Sequence, residues 1–232
     1  MSGQSGPNEW TTLRGEFRLE GPRKAEPGEP GRLSRTLVHH GRVVRLGIDE
    51  VRFPDGSTGE LELIRHRGAS AVLPLLDPLP HPDPRIVLLR QYRYASGGFL
   101  YEVPAGIPDR DDEPWDACAR RELAEETGYR ARDLRYLTAI FTTPGFTNEV
   151  IHLFAASGLE PGAMDQDEDE FLEVGSLPLS RAVEAVYQGN VVDAKTVATL
   201  LFAHAFLPRA WDAARPVPPR SPVPWDEVRP SS

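Results

Sequence analysis

An α+β sandwich carrying a small N-terminal antiparallel β unit is the architecture this sequence predicts. Three observations predict it. Apolar segments of strand length recur between residues 36 and 174. One long helical segment, closing on Gly128, interrupts them, and two more helical segments end the run. This order lacks the regular strand–helix alternation of a parallel α/β fold and carries no internal repeat.

Composition narrows the function before any motif is read. The chain has 232 residues, 40% hydrophobic and 26% charged, enough for one sizeable core and a small second unit. A net charge of −9 argues against nucleic acid or an anionic membrane as the main partner. A small-molecule ligand is expected instead. Lys24 and Lys195 are the only lysines, and neither stands in a Gly-Lys-Ser/Thr context, which excludes a P-loop. Cys118 is the sole cysteine, so no intrachain disulfide or cysteine metal cluster can form. Its place beside Ala119 reads as that of a buried thiol. The six histidines, His39-His40 among them, show no zinc-like spacing. No signal-peptide core opens the chain and no apolar run has membrane-spanning length, so the expected compartment is the cytoplasm.

Taken in order, residues 1–33 are rich in Gly, Pro, Glu and Arg and read as a loose arm, with Trp10, Leu13 and Phe17 available to dock. Residues 34–66 read as the small β domain. Its strands are Thr36-Leu-Val-His39, Val43 to Phe53, and Glu60-Leu-Glu-Leu-Ile64, with a turn at Pro54-Asp-Gly-Ser-Thr-Gly59. Such a meander is too small to stand alone. The main domain, 67–207, begins with apolar strands at 69–76 and 85–94, joined by the Pro-rich loop 77–84, then a short strand at 100–104. Strands at 134–142 and 150–155 flank the turn Thr143-Pro-Gly-Phe-Thr147. An acidic loop, 165–170, precedes a strand at 171–174. Helices are expected at 179–187 and 194–206, and residues 208–232 read as a Pro-rich tail.

The central helix carries the chemistry. It opens near Asp112-Glu113-Pro114, where acids suit the positive end and proline suits a first turn, and it closes at Gly128. At roughly 100° per residue, with Glu122 as zero, Glu126 falls at about +40° and Glu125 at about −60°. On the same wheel Trp115, Ala119 and Leu123 fall at about +20°, +60° and +100°. Three carboxylates therefore flank the core-facing stripe on one side of the last turns. Like charges three or four apart oppose a helix by about 0.2–0.5 kcal/mol per pair, and a hard divalent cation such as Mg²⁺ or Mn²⁺ removes that repulsion. Alone, the run also fits a solvated charged face.

The flanking residues decide between these readings. Gly106, Glu113 and then Arg121-Glu122-Leu123-Ala124-Glu125-Glu126-Thr127-Gly128-Tyr129 resemble the signature box of the Nudix hydrolases. The spacing from Glu113 onward matches; six residues instead of five separate Gly106 from Glu113, an insertion confined to the loop. The resemblance implies the Nudix fold, an α/β/α sandwich with a mixed sheet. Leu89-Arg-Gln-Tyr-Arg93, Tyr101-Glu-Val-Pro-Ala-Gly106, Thr143-Pro-Gly-Phe146 and Asp167-Glu-Asp-Glu-Phe-Leu-Glu-Val174 further resemble the ADP-ribose pyrophosphatase branch. For that branch the resemblance implies Mg²⁺-dependent hydrolysis of ADP-ribose to AMP and ribose 5-phosphate. It also implies a homodimer that exchanges the small β domain between subunits, where that domain helps bind the nucleobase.

Site residues follow from the same resemblance. Glu122, Glu125, Glu126 and the Ala105 carbonyl are the implied metal ligands, with Glu170 as a further contact. Arg121 is expected to pair with Glu113 or a ligating carboxylate, orienting the site. Glu168 is the expected general base, although six acids among residues 165–173 also suit a solvated loop. Arg93, whose planar fork suits a phosphate, is the expected clamp, with an ordinary strand-edge charge as the alternative. Arg65, Glu102 and Pro144 complete the expected substrate contacts, Glu102 through water. Two departures bear on the substrate: Gly59 to His66 offers Leu61 and no aromatic to stack a base, and Asn148 stands where relatives often carry Asp. GDP-mannose or another nucleoside diphosphate sugar therefore stays open. A non-catalytic sensing module should have lost helical acids, and this chain keeps them all.

Overall fold

The computed structural model describes residues 9–12, 15–18, 30–41, 44–162, 172–212 and 215–218. Two units divide the chain, one of Met1–Arg35 with Asp49–Leu61 and one of Thr36–Ile48 with Glu62–Ser232. Within the stretch read as a loose arm, β1 (Glu9–Thr12) and β2 (Gly15–Arg18) pair antiparallel in the register Trp10↔Phe17. The β-forming Trp10-Thr-Thr12 segment and the permissive Gly15 account for a hairpin that weak periodicity concealed.

Three further strands, β3 (Gly31–His40), β4 (Arg45–Arg52) and β5 (Thr58–Arg65), form a sheet in that order. The expected N-terminal antiparallel sheet is thus present. The turn between β4 and β5 closes on Gly56 at φ 86, with the Ser57 N–H bonded to Asp55 Oδ1 at 3.0 Å. In the first unit, Arg35 grips the buried Asp49 through Nε and Nη2.

The second unit is layered. Its strands are β6 (Ala69–Pro74), β7 (Arg85–Arg93), β8 (Gly98–Glu102), β9 (Ala105–Gly106), β10 (Tyr129–Phe141), β11 (Val150–Pro161) and β12 (Leu172–Pro178). Its helices are α1 (Trp115–Thr127), α2 (Leu179–Tyr187) and α3 (Ala194–Asp212). One sheet runs β10-β11-β6-β9, parallel only between β11 and β6; the other runs β12-β7-β8 and is antiparallel. β6 is buried along its whole length. Its side chains alternate, so Ala71 and Leu73 face a core shared with Leu179, Ala182 and Leu200, while Val72 faces a core shared with Trp115, Ala119 and Leu123. β11 divides the same way, with Leu153 and Ala155 on one face and Phe154 and Ala156 on the other. A strand buried on both faces must read as a continuous apolar run. The result is the expected α/β/α sandwich around a mixed sheet.

Several strands outrun the sequence pattern. β10 starts at Tyr129, earlier than the expected 134, because its arginines alternate with half-buried apolar residues along a 13-residue strand. β11 then runs to Pro161, paired with Tyr129. α3 continues through Pro208 to Asp212. Proline removes one helical hydrogen bond, but the buried Leu207 and the packed Trp211 keep the segment on the core.

Candidate active site

Strong helix formers fill α1 from Ala119 to Glu126. Pro114 takes the N-cap (φ −61°, ψ 150°) and not the first turn, and Gly128 closes the helix at φ 72° with its N–H bonded to Ala124 O at 2.9 Å. Packing Trp115, Ala119 and Leu123 into the core fixes the rotation of the helix. It also buries Glu122 and Glu126 to 8% and 3% exposure, with Glu125 more open. All three line a cleft of about 950 Å³.

Arg121 holds this acidic wall in place. Its Nη1 donates to Glu122 Oε1 at 2.7 Å and Glu125 Oε2 at 2.8 Å, its Nε to Glu113 Oε1 at 3.1 Å, and its Nη2 to the Ile107 carbonyl at 2.9 Å. Burial works against its charge, yet the bond to Glu113 and the charges of Glu122 and Glu125 raise its pKa above the ordinary arginine value. Arg121 thus pairs with Glu113 and with the carboxylates of Glu122 and Glu125. Glu126 Oε2 accepts the Ala105 N–H at 2.9 Å, which ties β9 to the helix. Gly106 lies so close to Glu122 that a Cβ there would meet its Oε1 at 2.0 Å. Cys118 is buried as expected, and burial pushes its thiol up to about 12.

A second part of the cleft lining carries cations, Arg93 and Lys195. Arg93, at the end of β7, makes a bidentate bond to Glu102, Nε to Oε1 at 2.8 Å and Nη2 to Oε2 at 2.9 Å. Lys195, in the first turn of α3, donates to the same Oε2 and to Asp193 Oδ2 at 3.1 Å. Burial disfavours the Glu102 carboxylate, but Arg93 and Lys195 outweigh it and lower the pKa. The third wall carries His66, Arg67, Thr142 and Glu149. Thr142 Oγ1 donates to Glu149 Oε2 at 2.8 Å, and His66 Nδ1 lies 3.4 Å from Glu149 Oε1. Burial lowers the His66 pKa against the pull of Glu149. Asn148 accepts the His66 N–H at 2.8 Å and donates to its carbonyl at 3.3 Å. An aspartate there would lose the second bond, so the departure at 148 has a structural use.

Of the residues singled out from sequence, Glu122, Glu125, Glu126, Arg121, Ala105 and Arg93 converge on the cleft. Glu102 is 1% exposed and bound by Arg93 and Lys195. Pro144 lies in an exposed turn off the cleft lining. Arg65 also lies off it, its Nε buried without a hydrogen-bond partner among the described residues. Glu168 and Glu170 fall outside the described residues. Sequence reasoning missed Lys195, Asp193, His66, Thr142 and Glu149 as site groups. The one available signal was a lysine at 195 in a chain whose cations are nearly all arginine.

Comparison with known proteins gives this geometry a family. Residues 65–200 match the model of the NUDIX domain. The chain belongs to the Nudix family. A "Methanol dehydrogenase activator" of Bacillus methanolicus is 38% identical over 162 residues, 69% of this chain and 84% of the relative. An "ADP-ribose pyrophosphatase" of Bacillus subtilis (strain 168) is 36% identical over 166 residues, 71% of this chain and 86% of the relative. A "GDP-mannose pyrophosphatase" of Cronobacter sakazakii is 39% identical over 158 residues, 62% of this chain and 79% of the relative. The fold matches a crystal structure titled "ADP compounds hydrolase" with TM-score 0.66 and 22% identity, covering 81% of this chain and 98% of that one.

Nudix hydrolases generally use a divalent metal ion, and the Nudix box of this chain fits one. Its donors are hard carboxylate oxygens held side by side on one helix turn. The side-chain-free backbone at Gly106 gives Glu122 the space it occupies. Among the described residues, no group of three or more acidic, His or Cys side chains is gathered as a metal cage, and Arg121 bonds both Glu122 and Glu125. No helix among the described residues is long and apolar enough to cross a membrane.

Proposed function

We propose that this Nudix protein hydrolyses the pyrophosphate bond of ADP-ribose to AMP and ribose 5-phosphate. One observation carries the reading: the carboxylates at the end of α1 and the guanidinium of Arg93 line a single cleft, pairing a cation-holding wall with an anion-holding group. The similarity to the Bacillus subtilis ADP-ribose pyrophosphatase supports it. Glu122, Glu125, Glu126 and the Ala105 carbonyl would hold the divalent ion, Mg²⁺ or Mn²⁺, with Glu170 as a further ligand. When bound, that ion neutralises diphosphate oxygens and makes water more acidic.

The chain's own groups do the rest. Arg93 binds a phosphate oxygen through donors not used on Glu102. Glu126 orients the Ala105 peptide, and Arg121 keeps the acids aligned. Glu168 takes a proton from the attacking water as its oxygen bonds to one phosphorus and the bridging P–O bond breaks. One product keeps the added oxygen; the other leaves as a phosphate monoester. Glu102 acts on the substrate through Arg93, and Arg65 and Pro144 are the remaining proposed substrate contacts. In the same reading the protein is a cytoplasmic homodimer, with residues 34–66 as its exchanged β domain.

Incubation with a panel of nucleoside diphosphate sugars and Mg²⁺, with products identified by mass, tests the proposal. AMP and ribose 5-phosphate from ADP-ribose are expected; no turnover of any member would defeat it. A second reading keeps the mechanism and takes GDP-mannose, favoured by the 39% identity to a GDP-mannose pyrophosphatase and by Leu61 in place of an aromatic. The same panel separates the two.

A further inference from the structure

Beside the acidic wall lies a second ionic cluster to which the box chemistry assigns nothing. Glu102, with 1% of its side chain exposed, is held from two directions, by Arg93 from the end of β7 and by Lys195 from the start of α3. Both cations reach Oε2, and Arg93 also takes Oε1. A carboxylate bound by one partner can still turn about its last torsion and carry that partner with it. Two partners on different elements remove this freedom.

The Lys195 ammonium is poorly placed to serve the substrate itself. Its side chain is 12% exposed, and two carboxylates, Glu102 and Asp193, already neutralise it. Arg93, by contrast, is 42% exposed and spends only Nε and Nη2 on Glu102. The start of α3 is a firm anchor. Asp193 Oδ2 accepts the Thr196 N–H at 3.0 Å and its hydroxyl at 2.6 Å, and Thr196 Oγ1 accepts the Val103 N–H at 2.9 Å. Neighbouring residues at the end of β8 are thus fastened to the same helical turn.

We propose that Lys195 is a positioning residue: acting through the buried Glu102 carboxylate, it fixes the Arg93 guanidinium at the cleft. The role in turnover rests on the diphosphate-hydrolase reading above; the geometric claim does not. A double-mutant cycle on the full chain tests both parts. Lys195→Met should raise KM for ADP-ribose about tenfold, the scale of one charge-assisted hydrogen bond, with kcat changed less than about threefold. In an Arg93→Ala background the same change should alter KM less than about twofold, because the group it positions is gone. Lys195→Arg should return KM to within about threefold of wild type.

The Arg93 Nε–H resonance in proton–nitrogen NMR, assigned by its loss in Arg93→Ala, reads the geometry without turnover. It should shift or broaden in Lys195→Met. Equal KM factors in both backgrounds, an unchanged KM, or an unmoved resonance would overturn the proposal. Should Lys195→Met fail to fold, Lys195→Gln keeps a neutral donor to Glu102 and takes its place. Wild-type inactivity on every sugar nucleotide would defeat the functional reading alone, and the resonance would still decide the positioning.

Discussion

Gly106→Ala is the most direct probe of the acidic wall. Gly106 is not among the glycines with positive φ, so the backbone accepts alanine. The added methyl, however, would lie 2.0 Å from Glu122 Oε1, 2.2 Å from Cδ and 2.5 Å from Oε2, where ordinary contact begins at 3.4 Å. The carboxylate must therefore retreat by 3.4 − 2.0, about 1.4 Å, from a position set by Arg121. Misplacing a catalytic group by about 1 Å can cost roughly 10²-fold in rate, and overpacking costs about 1–3 kcal/mol in stability. We expect kcat for AMP release to fall about a hundredfold, with the fold retained and a higher Mg²⁺ concentration needed for half-maximal rate. Because the effect runs through one side chain, Gly106→Ala should cost little more in a Glu122→Ala background. A kcat within about threefold of wild type, or independent losses in the double variant, would refute the reasoning.

Other perturbations give separate checks. Glu126→Gln keeps an oxygen for the Ala105 N–H but loses the charge, so metal-dependent turnover should vanish while circular dichroism stays unchanged; turnover within a few-fold of wild type removes Glu126 from the ligand set. Replacing Glu168 by Gln should slow the reaction by about 10²–10⁴-fold, and a much smaller loss places the base elsewhere. Chelation should abolish activity and added Mg²⁺ should restore it; activity that survives dialysis against chelator contradicts the donor assignment. His152, stacked on Trp115 with ring centroids 4.2 Å apart and only 7% exposed, has its pKa lowered by burial to about 4. The unfolded chain therefore binds this proton first. Stability present above pH 6.5 should decline as pH falls toward 4 and lose nothing more from this group below that. The full loss is roughly 3 kcal/mol. Denaturant melts of wild type and His152→Phe check it: the variant should be flatter across that window.

Much of the site was legible in the sequence because the box is local. Glu122, Glu125 and Glu126 lie within two helical turns, so the 3.6-residue period alone puts them beside the Trp115–Ala119–Leu123 stripe, and burial of that stripe brings them to the cleft. The layered fold was legible too, since β6 and β11 are apolar on both faces and strands of that kind require cover on both sides. The β1–β2 hairpin was not, because Gly, Glu and Arg dilute the alternation that marks a strand.

What the linear sequence determined, then, is the identity and spacing of the acids on α1, since helix periodicity is a property of neighbours in the chain. The tertiary structure alone decided what faces them. Arg93, Glu102 and Lys195 come from β7, β8 and α3 and meet only when the sheet and the last helix pack. His66, Thr142 and Glu149 likewise come from separate connections around the cleft. Glu102 and Lys195, bonded across 93 positions of chain, share no periodicity, and only the packing of the core between α1 and α3 sets the distance between them.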